Sequence, residues 1–408
     1  MRPLVVENIG VLATMNGSGV DGLGLLSDAM VVCVDGVIAH VGARGSCERP
    51  EGAIVVDAQG MAVVPGLIDS HTHALFMGER SDEFARRARG ESYTQIAAAG
   101  GGIFSTMRAV RAASVDELVE AARPRLMQMS ARGVTTVEIK SGYGLSVDDE
   151  LKMLRAMAQL QGQVGAMAVQ PTLLAAHAVP PEEASASSWI KRIISDLLPI
   201  VARERLASAC DVFVEHGAFA VDDARLLLRA ASEHGLHTRV HAEQMSWQGG
   251  ARLAAEVQAL SAAHLEHITP DDAHALADAG VVCEVLSLAQ VFLKGQRAIA
   301  GRMLIDAGCV VAVATDFNPG TAMSSDLTLA AGLSVTQSGL HAEEALRAIT
   351  AGGAQALGLN DRGVVARGKR ADLVVLSTPN PLALVYRWSE NLTHVVVVAG
   401  QVVLTTAR

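Results

Sequence analysis

The hydrophobic positions along the middle of the chain repeat in a strand-then-helix order. Between about residue 64 and residue 353, short apolar runs alternate with helical stretches. This order is typical of a parallel sheet or barrel with helices on its outer face. We expect eight strands, at AVVPGLID, GVTTVEIK, MAVQPTLLAA, CDVFVEH, LHTRVHA, EVQALSAAH, GVVCEVLS and CVVAVATD. Eight strands are the number that closes a (β/α)8 barrel.

The two ends of the chain have a different pattern. Residues 1–63 and 354–408 contain short β-rich pieces separated by turn residues, such as VVCVDGVIAHVG near the start and HVVVVAGQVV near the end. Such pieces are typical of antiparallel strands. The sequence therefore predicts an α/β protein in which a TIM-like barrel, residues 64–353, carries a small β-sandwich formed by the N- and C-terminal segments.

Composition agrees with this architecture and excludes several classes of function. Of the 408 residues, 50% are hydrophobic and only 3% aromatic, and the formal net charge is -10. Without a dense block of lysine and arginine, no nucleic-acid-binding surface is expected. The start lacks a signal-peptide pattern and no charge-free run could span a bilayer, so we expect a cytoplasmic protein with no membrane partner. The five cysteines are widely spread, which argues against a disulfide framework.

Side chains that can bind a metal recur at the ends of the predicted strands, where barrels of this type place their active sites. The first strand ends in PGLIDSHTH, and in an extended segment His71 and His73 point to the same side. The fifth strand ends with His241, the sixth with His264 and the eighth with Asp316. Three imidazoles and a carboxylate, from His71, His73, His241 and Asp316, form a set suited to zinc or iron with room for a water.

Hydrolysis is the chemistry that this set favours, because a bound metal ion lowers the pKa of water from about 15.7 to roughly 7 and polarises a carbonyl group. Taken singly, each histidine is better explained as a hydrogen-bonded structural residue, so the prediction rests on their shared position. Lys140 ends the second strand and not the fourth, where Glu215 stands. We therefore expect one metal ion, with Lys140 paired to a carboxylate such as Glu138.

Longer motifs carry a resemblance to known families. PGLIDSHTH, the histidines at the strand ends and ATDFNPGT resemble the amidohydrolase superfamily, which combines a metal-binding barrel with a small β-sandwich. The segments GERSDEFARRARGESYTQIAAAGGGIFSTMRAVR, EIKSGYGL, TLLAAHAVP, HAEQ and TDFNPGT further resemble the imidazolonepropionases of histidine degradation. The resemblance, which runs from about residue 65 to residue 358, implies hydrolysis of the ring amide of 4-imidazolone-5-propanoate to N-formimidoyl-L-glutamate. It also implies one Zn(II) or Fe ion per chain and a homodimer.

The resemblance assigns roles to individual residues. Asp316, His264 and Gln244 are the expected catalytic residues, with Asp316 moving protons and His264 stabilising the oxyanion or relaying protons. The guanidinium of Arg80 suits the substrate carboxylate, because it offers a planar fork of donors. The expected substrate-binding residues are Arg80, Tyr143, His177, Gln244, Asn318, Gly320 and Thr321.

Three positions bear on the alternatives. Related deaminases carry a glutamate three residues after the fifth-strand histidine, and the amide of Gln244 cannot shuttle protons as that carboxylate does. Ala263 precedes His264 where the resemblance implies an aspartate, and LSLAQVFLKG follows the seventh strand in place of the usual segment. A hydrolase of another small carboxylated lactam, a deaminase and a non-catalytic binding protein are therefore the alternative hypotheses.

Overall fold

The structure, a computed structural model, describes residues 1–17, 22–91, 95–96, 99–295, 297 and 300–405. Its strands form two separate sheets. The strands are β1 Leu4–Ala13, β2 Leu25–Val34, β3 Val37–Ala43, β4 Ile54–Asp57, β5 Ala62–Pro65, β6 Leu67–Asp69, β7 Val134–Lys140, β8 Ala168–Ala176, β9 Ala209–Val214, β10 His237–Ala242, β11 Ser261–His264, β12 Val282–Val285, β13 Val311–Val313, β14 Leu373–Leu376, β15 Thr393–Val398 and β16 Gln401–Thr405.

The helices lie mainly between the strands of the central region. They are α1 Ser81–Ala88, α2 Ile103–Ala112, α3 Val115–Ala131, α4 Val147–Leu160, α5 Ala186–Arg192, α6 Leu198–Glu204, α7 Val221–Glu233, α8 Gly250–Glu256, α9 Pro270–Ala279, α10 Ser287–Phe292, α11 Gly301–Asp306, α12 Leu327–Ser338, α13 Ala342–Arg347, α14 Gly353–Ala356 and α15 Ala383–Tyr386, with π-helical turns at Ile193–Leu197 and Ala348–Gly352. Across the described ranges, every helix is too short or too polar to cross a membrane.

The central sheet is the predicted barrel. Strands β6 to β13 pair in chain order, and each pair is parallel. The two ends of this sheet meet just beyond β6 and β13. There Thr72 forms a parallel bridge with Phe317, and the N–H of Asp316 donates to the carbonyl oxygen of His71 at 3.0 Å. The (β/α)8 prediction is confirmed, and the segments that follow the first and last barrel strands are held side by side.

The predicted first strand, AVVPGLID, is wrong as a single element because it is divided between the two sheets. β5 belongs to the terminal sheet and β6 to the barrel, and Gly66 lies between them. A Cβ atom on Gly66 would lie 2.2 Å from Oγ1 of Thr135 and 2.9 Å from Cβ of Asp372. The chain therefore crosses between the sheets where no side chain fits, and the apolar pattern continues through the crossing. The sixth strand is also shorter than predicted, since β11 begins only at Ser261.

The terminal sheet is built from both ends of the chain, as predicted. Its path runs β16, β15, β14, β5, β1, β2 and β3, and β4 pairs with β1. The junction between the two ends is the antiparallel pair of β14 and β5, in which Leu373 faces Pro65. Aliphatic side chains such as Ile9, Val31 and Val375 form a core of its own for this sheet.

Helices and an insertion surround the mouth of the barrel. The N-cap of α3 is Ser114, which accepts a hydrogen bond from the N–H of Glu117 at 3.3 Å, and the Glu117 carboxylate accepts one from the Ser114 N–H at 2.8 Å. This reciprocal pair satisfies two N–H groups that the first turn leaves free. The long connection between β6 and α3 carries α1 and α2, which places Arg80 and Ile103 at the carboxyl ends of the strands.

Candidate active site

Three imidazoles and a carboxylate meet at the carboxyl ends of the first, fifth and last barrel strands. His71 and His73 follow β6, His241 lies in β10, and Asp316 follows β13. Oδ1 of Asp316 lies 3.4 Å from Nε2 of His73 and 3.7 Å from Nε2 of His71. All four side chains are buried. The barrel thus brings together the four residues that the sequence singled out as metal ligands.

The atoms that face one another in this cluster fit a metal ion. The buried Nε2 atoms of His71 and His241 have no hydrogen-bond partner within the part of the chain that the structure describes. Buried polar atoms are normally paired, so two such atoms on one centre indicate a missing ligand. The ligand atoms of His71, His73 and Asp316 lie within 4.8 Å of one another, and so do those of His71, His241 and His264. His264, which the sequence prediction left outside the ligand set, is therefore within reach of the same centre.

Two buried carboxylates stand behind the imidazoles. Oδ1 of Asp211 lies 3.1 Å from Nδ1 of His241, and Oε2 of Glu284 lies 3.5 Å from Nδ1 of His71. A carboxylate at Nδ1 fixes the ring orientation and leaves Nε2 as the metal-binding atom. Burial lowers the pKa of His71 well below its usual value, and the nearby Lys140 lowers it further. Burial likewise lowers the pKa of His241, although Asp211 opposes the shift. Both rings are thus neutral, which is the form that binds metals.

A network of buried charges holds these carboxylates in the barrel interior. Nζ of Lys140 donates to Glu138 at 2.7 Å and to Asp211 at 2.9 Å, so the predicted pairing with Glu138 is confirmed. Nη2 of Arg239 donates to Glu284 at 2.6 Å. All of these side chains are buried. A buried charge without its partner is strongly unfavourable, so the network acts as a unit.

The sequence analysis did not identify Asp211, Arg239 or Glu284. Each of these residues lies in a barrel strand, and alternate side chains of β9, β10 and β12 point into the barrel. Polar residues at alternate positions of otherwise apolar strands were the available signal. Glu284 also accepts a hydrogen bond from Ser70 at 2.6 Å across 214 positions of the chain, and that contact follows only from the closed barrel.

A cavity of about 200 Å³ opens above the cluster. Ten of the predicted side chains line it together, and His71 lies beneath them. The apolar walls come from residues that the sequence analysis did not name as site residues, namely Ile103, Phe213, Met245 and Leu293. The predicted residues that line the cavity are His73, Arg80, Tyr143, His177, His241, Gln244, His264, Asp316, Asn318 and Thr321, together with the backbone of Gly320.

Planar rings form one wall of the cavity. The rings of His73 and His177 are stacked with their centroids 5.1 Å apart, and Tyr143 lies 5.5 Å from His177. Nδ1 of His177 lies 3.2 Å from the carbonyl oxygen of Gly142, which fixes the ring. Phe213 meets His177 edge to face at 6.3 Å. The wall can therefore receive a flat ring and offer it hydrogen bonds from its edges.

The opposite wall carries Arg80 and the loop after Asp316. Nε and Nη2 of Arg80 donate to Oε2 of Glu83 at 3.0 and 2.8 Å. Oδ1 of Asn318 accepts the N–H groups of Gly320 at 2.8 Å and Thr321 at 2.7 Å, which closes a tight turn. A Cβ atom on Gly320 would lie 2.3 Å from Nη1 of Arg80. The missing side chain at this position lets the guanidinium approach the loop backbone.

Two glutamates near the site have structural roles. Glu243, which precedes Gln244, has a positive φ of 55° and turns its carboxylate towards the N–H of Ala251 at 3.0 Å. Gln244 lines the cavity instead, as expected for the neighbouring residue. Glu215 accepts the N–H groups of Met245 at 2.9 Å and Ser246 at 3.1 Å. Neither carboxylate lines the cavity.

Two titratable groups that line the cavity, Asp316 and His264, have raised pKa values. Burial raises the pKa of the Asp316 carboxyl above its usual value, although the nearby His264, His241 and Lys140 oppose the shift. Burial opposes protonation of His264, but the carboxylates of Glu266, Asp316 and Asp211 together raise the pKa of the imidazole. Nδ1 of His264 lies 3.6 Å from Oε1 of Glu266. The cavity thus holds a carboxyl group and an imidazole whose pKa values are both raised, and groups of these two kinds can transfer protons in catalysis.

A barrel with this histidine and aspartate cluster at its mouth defines a class of metal-dependent hydrolases, and comparison with known sequences agrees. The sequence model of the amidohydrolase family matches residues 62–403, so the chain belongs to that family and hydrolyses carbon–nitrogen bonds. The chain is 47% identical to the imidazolonepropionase of Anaeromyxobacter dehalogenans over 405 residues, which cover 98% of this chain and 96% of the relative.

A second relative and a solved structure extend the comparison. The imidazolonepropionase of Myxococcus xanthus is 44% identical over 409 residues, with 98% of this chain and 96% of the relative covered. Within the amidohydrolases, the chain therefore belongs to the imidazolonepropionases. The crystal structure of a zinc-containing adenosine deaminase from Xanthomonas campestris matches with a TM-score of 0.73 and 19% identity, covering 98% of this chain and 93% of the other. That likeness concerns the fold alone.

Proposed function

We propose that this chain hydrolyses the ring amide of 4-imidazolone-5-propanoate and releases N-formimidoyl-L-glutamate, a step of histidine degradation. The observation that carries the proposal is that one cavity is lined both by members of a metal-competent cluster and by the guanidinium of Arg80. The substrate has an amide carbonyl, a flat ring and a carboxylate, and each of these groups has a chemical counterpart in the cavity. The relatives with 44–47% identity carry the corresponding name.

One Zn(II) or Fe ion per chain is part of the proposal. His71, His73, His241 and Asp316 would hold it, because their facing atoms are buried and close to one another. A bound ion of this kind supplies Lewis acidity, which polarises the amide carbonyl and makes water more acidic. Both metals accept imidazole and carboxylate ligands, so the ligand set suits either ion.

The protein positions the substrate between two walls. Arg80 binds the propanoate carboxylate, and its fork geometry gives that contact direction as well as charge. Tyr143 and His177 hold the ring edge, while the ring lies against Phe213 and the stacked imidazoles. Gln244 donates to or accepts from the ring amide, and the turn at Asn318, Gly320 and Thr321 closes the site near the carboxylate. This orientation presents the amide carbonyl to the histidine cluster.

Proton transfer is assigned to two residues beside that carbonyl. Asp316 accepts a proton as water attacks the carbonyl carbon, and it then delivers a proton to the ring nitrogen as the carbon–nitrogen bond breaks. His264, with its raised pKa, donates to the former carbonyl oxygen and stabilises the negative charge that develops there. The atoms of one water are thus divided between the new carboxylate and the released nitrogen.

A second candidate is a hydrolase of another small carboxylated lactam. One observation favours it, because Leu293, from the segment that departs from the resemblance, lines the cavity. Gln244 argues against a deaminase, since its amide cannot carry a proton between the water and the leaving group. Arg80 serves either lactam in the same way.

The test is an absorbance assay with freshly generated 4-imidazolone-5-propanoate, combined with metal analysis of the same sample. We expect loss of the substrate absorbance and about one zinc or iron per chain. A protein that contains the metal but leaves this substrate unchanged would move the function to another lactam. The homodimer and the cytoplasmic location stay predictions, and a sedimentation experiment on the purified protein tests the first of them.

A further inference from the structure

We infer that Glu83 is a positioning residue for the recognition of anionic ligands. This inference rests on the proposed function, in which Arg80 binds the substrate carboxylate. Glu83 lies on α1, outside the cavity lining, and touches none of the metal-competent residues. Its role is to hold the guanidinium of Arg80 in one orientation and to join it to the start of α2.

Glu83 holds the Arg80 guanidinium along one edge. A single oxygen of Glu83, Oε2, accepts hydrogen bonds from both Nε and Nη2 of Arg80, at 3.0 and 2.8 Å. One edge of the guanidinium is therefore committed to Glu83, and the plane of the group is fixed. Nη1 of Arg80 has no hydrogen-bond partner among the described residues and lies close to Gly320, on the cavity side. The edge that remains is the one that a substrate carboxylate can reach.

The other oxygen of the Glu83 carboxylate binds the start of α2. Oε1 of Glu83 accepts the N–H of Gly102 at 2.9 Å, and Gly102 is the N-cap residue of α2. The next residue, Ile103, lines the cavity. Glu83 thus connects the anion-binding arginine with the element that supplies part of the apolar wall, and Arg80 and Ile103 at the two ends of the connection both line the cavity.

The ion pair of Arg80 and Glu83 is largely shielded from water. The side chains of Arg80 and Glu83 are only 8% and 14% exposed. An exposed ion pair of this kind would contribute little, but a pair shielded from water keeps its geometry. Arginine has many side-chain conformations, and a group that is already ordered binds its ligand more tightly than one that must be ordered on binding.

Glu83 also brings a negative charge near an anionic ligand, and this repulsion acts against binding. Both oxygens of Glu83 are already occupied, Oε2 by two N–H groups of Arg80 and Oε1 by the N–H of Gly102, so we expect the ordering of the guanidinium to outweigh the repulsion. The inference therefore has a definite sign. Removing the charge of Glu83 weakens the binding of anions and leaves neutral ligands unaffected.

The experiment compares Glu83→Gln with the natural protein, using two ligands that differ in charge. Imidazole-4-propanoate carries the carboxylate, and 4-propylimidazole lacks it. By calorimetry we expect Glu83→Gln to weaken the first ligand about tenfold and to change the second less than about twofold. With the proposed substrate, KM rises about tenfold while kcat changes less than about twofold. Glu79→Gln is the matched control and leaves both ligands unchanged, because Glu79 is exposed and, among the described residues, accepts a hydrogen bond only from the Ser81 N–H.

Three results would overturn the role of Glu83. They are equal weakening of both ligands, tighter binding of the anion, and no change in either affinity. Arg80→Gln separates this inference from the proposed function. If Arg80→Gln keeps the preference for the anionic ligand, the carboxylate contact of the proposed function is wrong. If Arg80→Gln abolishes that preference while Glu83→Gln retains it, only the role of Glu83 fails.

Discussion

Asp211→Asn is the perturbation that tests most sharply how the barrel interior supports the histidine cluster. Asp211 is 1% exposed and contacts two key groups. Its Oδ1 lies 3.1 Å from Nδ1 of His241, and its Oδ2 accepts from Nζ of Lys140 at 2.9 Å. Asparagine has nearly the same shape but no charge, so the substitution removes the ion pair and alters the partner of His241 without creating a cavity.

Asp211→Asn should change two quantities, the free energy of unfolding and the metal affinity. Breaking a fully buried ion pair on one side destabilises a protein by about 3–5 kcal/mol, and Lys140 keeps Glu138 as a second partner at 2.7 Å, so we expect the lower end, about 3 kcal/mol. Loss of the carboxylate that orients a metal-binding histidine weakens metal affinity by about 10–100-fold. The first effect concerns the metal-free protein, and the second concerns the bound state.

The assays follow that division. Urea unfolding of the metal-free proteins measures the free energy of unfolding, and competition with a coloured chelator measures the metal affinity. Asp196→Asn is the control, because Asp196 is a half-exposed residue that pairs with Ser195 and the exposed Arg192, and its loss should change stability by less than about 0.5 kcal/mol. Unchanged metal affinity in Asp211→Asn would refute the view that this carboxylate orients His241.

Three further predictions concern single residues. Gly320→Ala should raise KM about tenfold and change kcat less than about twofold, as measured by steady-state kinetics. The reason is that the added Cβ would lie 2.3 Å from Nη1 of Arg80 and displace the guanidinium. An unchanged KM would contradict this prediction. Asp316→Asn should abolish turnover while metal binding is weakened but still detectable, and full activity in that variant would rule out its proton transfer. Burial raises the pKa of Asp69 from 3.8 to about 7, so the folded chain holds a proton that the unfolded chain releases, and stability falls as the pH rises through that window. We therefore compare how the free energy of unfolding of the metal-free natural protein and of metal-free Asp69→Asn changes between pH 4 and pH 7. The decrease should be shallower in Asp69→Asn, and the two slopes should differ by about 1 kcal/mol per pH unit. Identical slopes would contradict the raised pKa of Asp69.

Much of the fold was predictable because its signals are local. The alternation of apolar runs and helical stretches predicted the order of the barrel strands, which the structure confirms. The division at Gly66 was missed, because the apolar run is continuous and only the close approach of Thr135 and Asp372 reveals the crossing. Both of those residues are distant in sequence, so no local pattern reports them.

The site divides in the same way. Residues at strand ends were predictable, because the carboxyl ends of parallel strands meet at one rim of a barrel. His264 was predicted for catalysis but not as a neighbour of the ligand atoms, since strand position gives no distances. The interior charges were missed for a different reason. A buried arginine such as Arg239 needs buried acidic partners, and these lie far away along the chain, Glu284 by 45 positions and Glu138 in another strand.

The most direct test of the central claim is the identity of the product formed in water labelled with oxygen-18. Hydrolysis of the ring amide predicts N-formimidoyl-L-glutamate with one labelled oxygen in its new carboxylate and no release of ammonia, together with about one equivalent of zinc or iron in the active sample. A product that has lost ammonia, or an unlabelled product, would contradict hydrolysis of the ring amide in this cavity.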